Sequence, residues 1–237
     1  MTEKTQDSNL IYVTARVSFP WIVEPQSKVN DKGVTVSSYN CDLIVAPNDP
    51  GFARFMQVYA ALAAEKWKEN ANAAMQRIQM DRKTRCYGVG EEKVNTKTFA
   101  VHTGYAGNAY ISARSSRQPQ IIRADGTQVD PTNILEIRAV GSKIYGGCYV
   151  NAVIKPWLQQ NDQGIGVRCD FVAIQFKADG DSFGAGAADT TGMFGAVTSA
   201  PAMVAAPAAP MPGMPFPAAP GGMPAQPFVM PGFLGPQ

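Results

Sequence analysis

The residues whose types and spacing could do chemistry lie in the run Tyr110-Ile111-Ser112-Ala113-Arg114-Ser115-Ser116-Arg117. Side chains of a strand alternate between its two faces, so Tyr110, Ser112 and Arg114 share one face and Ile111 and Ala113 the other. The apolar face can bury. The opposite face offers a ring on which a flat heterocycle can stack and a guanidinium for a phosphate, the two contacts that build single-stranded nucleic-acid platforms. Strict alternation puts Arg117 on the side of Ile111, so it joins Arg114 only if the strand ends or bulges before Pro119.

The pattern recurs. Lys143 and Tyr145 share a face of a predicted strand over 143–155, and after Gly146-Gly147 the residues Tyr149, Asn151, Lys155 and Trp157 fall together, with Val150, Ala152 and Ile154 opposite. Arg82, Lys83 and Arg85, followed by Tyr87, form a basic loop that could clamp a strand of nucleic acid. For any one of these residues, a ring filling the core or a solvated cation is the ordinary explanation. Recurrence across three segments favours a binding face in which tyrosines stack bases and cations neutralise phosphates, with salt-dependent affinity as the consequence.

Catalytic constellations are absent from the sequence: no GxSxG, no HExxH and no Walker A lysine loop. The single histidine, His102, follows Phe99-Ala100-Val101 without a neighbouring acid or cysteine and reads as structural. Cys41, Cys86, Cys148 and Cys169 form no CxxC pair, which points to reduced thiols rather than a metal or disulfide framework. No enzymatic activity, cofactor or metal is expected.

Charge is unevenly spread. All 21 basic residues lie at or before Lys177, whereas three of the 19 acids, Asp179, Asp181 and Asp189, lie beyond it. The body is therefore modestly basic, which suits nucleic acid as a partner. The polar N-terminus has no signal-peptide layout, and no run reaches a membrane-spanning length, so a cytoplasmic protein without a membrane partner is expected.

Most of the body reads as strands, which must position these residues. Leu10–Phe19 and Tyr39–Ala46 alternate, and further strands are expected at Phe99–His102, Ala109–Arg114, Gln120–Arg123, Lys143–Lys155 and Val167–Lys177. Asp125-Gly126 is a hairpin signal between Ile121-Ile122 and Val129. Asp49 as N-cap and Pro50 at the first turn open one amphipathic helix, with Phe52, Phe55, Met56, Tyr59, Leu62, Ala63 and Trp67 at helical spacing. It ends near 68–70, with room for a second segment to Arg77. After about Ala178 the composition turns to Gly, Ala, Thr, Pro and Met, with PAAP at 207–210 and 217–220, a pattern expected to be disordered. The expected organisation is a flexible 1–8, an OB-like domain over 9–178, and a low-complexity tail over 179–237. The fold class is mainly β, an OB-fold-like small barrel with one amphipathic helix.

Four segments then carry a resemblance: RVSFPWIVEP (Arg16 to Pro25), YNCDLIVAPNDPGF (Tyr39 to Phe52), AYISARSSRQPQIIRADG (Ala109 to Gly126) and KIYGGCYVNAVIKPW (Lys143 to Trp157). Together they resemble bacteriophage single-stranded DNA-binding proteins of the T7-like type, over roughly residues 10 to 178. The resemblance implies an oligonucleotide-binding barrel that coats and protects single-stranded DNA in phage replication and recombination, in the cytoplasm of the host. It also implies a C-terminal tail that docks replication proteins, but here the last residues carry no acid, unlike the acidic tails common in that family. A homo-oligomer is compatible with the reading. The competing reading is a structural or assembly protein with a docking tail.

Overall fold

Alternating small and branched residues make the first strand. Ile11, Val13, Ala15 and Val17 enter the core while Tyr12, Thr14 and Arg16 face outward, and the strand β1 runs over Ile11–Val29. It pairs antiparallel with β2 (Thr35–Val45) on one side and with β6 (Tyr149–Asn161) on the other. The computed structural model describes residues 9–29, 33–162 and 164–184. The expected flexible N-terminus and all but the first six residues of the expected tail lie outside them.

The seven strands form one sheet in the order β3-β4-β2-β1-β6-β7-β5, with β3 at Tyr87–Val89, β4 at Ala109–Ser115, β5 at Gln120–Ile122 and β7 at Gly164–Ala178. All pairings are antiparallel except β5 with β7. The mainly β class is as expected, but the sheet is not a closed barrel. No ladder among the described residues joins β3 to β5. Instead the sheet curls until the 84–86 segment bridges β4 and β7: Val167 N donates to Thr84 O at 2.8 Å and Ser112 N to Cys86 O at 2.6 Å. Gly166 permits that approach, since a Cβ there would stand 2.6 Å from the Thr84 carbonyl oxygen.

Among the described residues three α-helices accompany the sheet. Helix α1 (Pro50–Trp67) starts as expected, with Asp49 Oδ1 accepting from Gly51 N at 2.8 Å and Phe52 N at 3.2 Å. Its stripe buries Phe55, Tyr59 and Ala63, and the Phe55 and Tyr59 rings pack on Tyr87. Helix α2 (Ala71–Met80) continues after a short irregular turn, inserting Ile78. Helix α3 (Ile134–Gly141) was not expected. It buries only Ile137 and Gly141 and leaves Ile134 and Leu135 exposed, so its sequence has no clear apolar stripe.

Three other expectations change. Phe99–His102 is not a strand: Val101 merely bridges Val94 across a small hairpin. The strand expected from Lys143 begins only at Tyr149, because residues 142–148 are spent turning from α3 into β6. Residues 179–184, assigned to the tail, pack on the fold: the Tyr145 hydroxyl lies 2.8 Å from Gly180 O and accepts from Gly180 N at 3.1 Å. The Asp125-Gly126 turn forms as expected, with Gly126 at φ +85° and Val129 N returning to Ile121 O at 2.9 Å.

The Tyr59 hydroxyl is buried and has no hydrogen-bond partner among the described residues. An unmade bond of this kind costs about 1–3 kcal/mol. The substitution Tyr59→Phe is expected to raise the denaturant midpoint of unfolding by a comparable free energy. A clear loss of stability would show that the hydroxyl is bonded.

Candidate nucleic-acid interface

Tyr110, Ser112 and Arg114 do share the outer face of β4, and Ile111 and Ala113 enter the core. The outer face is not open along its length, however. Tyr110 is only 5 % exposed, packed with Ile44, Tyr105 and Phe183 in a satellite apolar cluster. The Lys93 ammonium sits 4.3 Å from the centre of its ring, and its hydroxyl donates to Glu92 Oε2 at 3.3 Å. The expectation that Tyr110 presents a face to a base does not fit this position, because the loop over 90–108 folds down on it. Burial raises its phenol above the ordinary value, and the Glu92 charge adds to the effect.

Arg85 is likewise enclosed. It is 8 % exposed and makes four hydrogen bonds: two to Glu92 at 2.7 and 2.9 Å, one to Tyr87 O at 2.6 Å and one to Gln79 O at 3.2 Å. A guanidinium so satisfied braces the chain rather than clamping a phosphate. Burial alone would raise the Glu92 carboxyl. The hydrogen bonds and charge of Arg85, helped by Tyr110 and Arg82, outweigh it and hold that carboxyl below its ordinary range.

Arg82 and Lys83 are exposed, and with Asp81, Arg85, Lys93, Tyr110 and Ser112 they line a cleft of about 540 Å³ in which cations outnumber the single acid. A neighbouring groove of about 570 Å³ shares Arg85 and Ser112 and continues past Ser38, Arg114, Trp157 and Arg168. Four strands supply it, β2, β4, β6 and β7, where the curled sheet brings them face to face. Arg114 Nε donates to Ser38 Oγ at 2.8 Å, Arg168 Nε to Gln159 Oε1 at 2.7 Å, and Trp157 Nε1 to Asp170 Oδ1 at 2.8 Å. The indole is thus held at its edge while the side chain remains 40 % exposed. Cations and an aromatic ring therefore line a continuous concave surface.

The remaining candidates stand elsewhere. Arg117 is exposed in the bend after β4, which ends at Ser115, before Pro119. Lys143 is exposed in the turn after α3, and Tyr145 is spent holding Gly180. Tyr149 and Lys155 share the outer face of β6 with Trp157, as the alternation predicts. Tyr149 is exposed, with the Arg16 guanidinium 5.5 Å from its ring centre, and Lys155 is half-buried. None of these five lines the cleft or the groove. Sequence reasoning missed Arg168 and Lys93 as groove cations. Arg168 was findable by period-two alternation in β7, opposite Trp157 in the register. Lys93 was not, since a loop brings it in.

Residues 8–202 match the family model described as the single-stranded DNA-binding protein of Enterobacter phage Enc34. The chain belongs to that family. Among solved structures, the single-stranded DNA-binding protein from bacteriophage Enc34 shares the fold at 22% identity and TM-score 0.54, over 79% of this chain and 90% of that one. Its complex with single-stranded DNA matches at 23% identity and TM-score 0.56, over 75% of this chain and 91% of that one. A curated relative, putative protein p50 of Acyrthosiphon pisum secondary endosymbiont phage 1, is 35% identical over 85 residues. That match covers 36% of this chain and spans 41% of the relative's length.

The lowered Glu92 carboxyl fixes a sign. Its contribution to stability is complete above its ordinary value of 4.5 and is lost as pH falls through the lower folded value. Unfolding midpoints measured from pH 7 downward are therefore expected to drop below about that pH. Glu92→Gln should lower the midpoint at pH 7 and flatten the acid limb. An unchanged limb would contradict the Arg85–Glu92 assignment.

Proposed function

We propose that this protein binds single-stranded DNA without sequence preference, coating and protecting it during phage replication and recombination. The observation that carries the reading is the groove in which Arg114, Arg168 and the half-exposed Trp157 line one surface, continued by Arg82, Lys83 and Lys93. Cations spaced along a concave surface follow a phosphate backbone, and an edge-anchored indole stacks on any base, so affinity arises without base readout. Family membership and the solved complex of a structural relative with single-stranded DNA support the same ligand.

In this account Arg82, Lys83 and Arg114 contact phosphates, joined by Arg168, while Arg117 meets a strand that continues past the end of β4 and Lys93, paired with Asp42, adds only to the potential of the cleft. Tyr149, Lys143 and Lys155 serve only a longer path that leaves the groove along β6 or the α3 turn, and Tyr110, Tyr145 and Arg85 shape the surface without touching DNA. The protein works by binding rather than by catalysis. Docking of replication proteins falls to the residues beyond 184, and one domain over 9–178, extended by the packed 179–184, holds the interface.

A fluorescence titration of oligo-dT and of duplex DNA at several salt concentrations tests this. For single strands, log affinity should fall against log salt with a slope of about −0.7 per phosphate contacted. Arg114→Ala and Arg168→Ala should each make that slope shallower by about 0.7, and Trp157→Ala should cost about 1–3 kcal/mol. A salt-independent response, or equal affinity for duplex, would overturn the assignment in favour of an assembly protein.

A further inference from the structure

Two phenylalanines occupy backbone positions that ordinarily call for glycine. Phe19 has φ +49° at the bulge where β1 slips register against β2 between Ser18 and Trp21. Phe99 has φ +56° in the hairpin closed by the Val94–Val101 bridge, where Asn95 N donates to Ala100 O and Phe99 N to Asn95 O, both at 2.8 Å. Bulges and short hairpin loops place Gly or Asn in this left-handed region, which a bulky L side chain enters only at a cost. Burial does not offset the cost, for Phe19 is 50 % exposed and Phe99 82 % exposed.

Phe19 lines one cavity, and Phe99 stands at its rim in the hairpin that supplies part of the wall. The cavity measures about 480 Å³, and its wall includes Ser18, Phe19, Asn95, Thr98, His102 and Phe183. Phe99 lies between Thr98 and Ala100, which are both part of that wall. The Phe19 ring meets His102 edge-on, centres 5.2 Å apart. Among the described residues no Lys, Arg, Asp or Glu lines the cavity, while hydroxyl, amide and imidazole groups do. The composition fits a planar, neutral, hydrogen-bonding ring. The same hairpin delivers Lys93 to the cationic cleft, and His102 N donates to Lys93 O at 2.9 Å. Strained, exposed groups held in place by their surroundings are commonly found where a ligand is clamped.

We propose that this cavity receives one unpaired nucleobase, stacked on Phe19 and Phe99, off the phosphate path marked by the cations. The proposal rests on the single-stranded DNA reading given above. The test uses the full chain and its variants Phe19→Gly and Phe99→Gly, with oligo-dT and an abasic deoxyribose-phosphate oligomer of equal length as ligands. Because glycine suits both backbone positions, each variant is expected to melt at or above the temperature of the parent. Each should bind oligo-dT at least about fivefold more weakly, the loss of one stacked base, and bind the abasic oligomer as the parent does.

Unchanged oligo-dT binding, or equal losses on both ligands, would overturn the proposal. Lower melting temperatures of both variants would show that the rings serve packing and would overturn it too. Tighter DNA binding by the variants would show that the cavity holds a segment of this chain instead. If the parent itself binds neither oligomer, the failure lies with the underlying reading.

Discussion

The Asp42 carboxylate is the constraint on which the interface depends. It lies on the outer face of β2, nearly buried, and receives Lys93 Nζ at 2.7 Å, the Tyr105 hydroxyl at 2.7 Å and the Ser112 hydroxyl. These three donors come from two places in the chain, the 90–108 loop and β4. A single charge thus fastens the loop to the sheet, and removing it would leave a cation and a phenol facing each other without an acceptor. The loop in turn covers Tyr110, positions Lys93 in the cleft and carries His102 and Phe99 to the neighbouring cavity. Burial and the Asp42 charge both push the Tyr105 phenol upward, so it stays protonated and able to donate.

A second fastening works beside the start of β6. The Arg16 guanidinium donates to Gly147 O at 3.0 Å and Asp181 O at 2.8 Å, and lies 4.5 Å from the centre of the Phe183 ring. That ring fills the space over Gly104, where a Cβ would come within 2.4 Å of it. The residues leading out of β7 are therefore bound to the same loop that Asp42 holds. Aromatic and basic side chains serve two purposes in this molecule. Tyr110, Tyr145, Arg16 and Arg85 hold backbone segments together, which leaves Trp157, Arg114, Arg168, Arg82 and Lys83 along the exposed groove.

Sequence patterns revealed much of the fold because its strands and first helix are strongly periodic. The inward set of β1, the two faces of β4 and β6, the Asp49 cap and the Asp125-Gly126 turn each follow from local rules that tertiary packing did not override. Helix α3 and strand β3 were not legible, the first for lack of an apolar stripe, the second because three residues make no pattern. The candidate site was legible only in part. Alternation assigns Tyr110 and Arg114 to one face correctly, but it cannot show that the loop leading into the strand folds back to cover one and leaves the other open. The burial of Arg85 was illegible for a similar reason, since its partner Glu92 sits across the short β3 segment and nothing in the spacing announces the pair. Curling of the sheet, which brings β7 opposite β4, is a property of the whole chain and placed Arg168 beside Arg114.

The central claim is that single-stranded DNA runs through the groove between β2, β4, β6 and β7. Photo-crosslinking of the full chain to a 5-iodouracil oligonucleotide, with the linked peptides mapped by mass spectrometry, tests it most directly. The expected crosslinks fall on Trp157 and on peptides containing Arg82, Lys83 and Arg114. Crosslinks confined to Tyr12 on β1 and Tyr149 at the start of β6 would contradict the account.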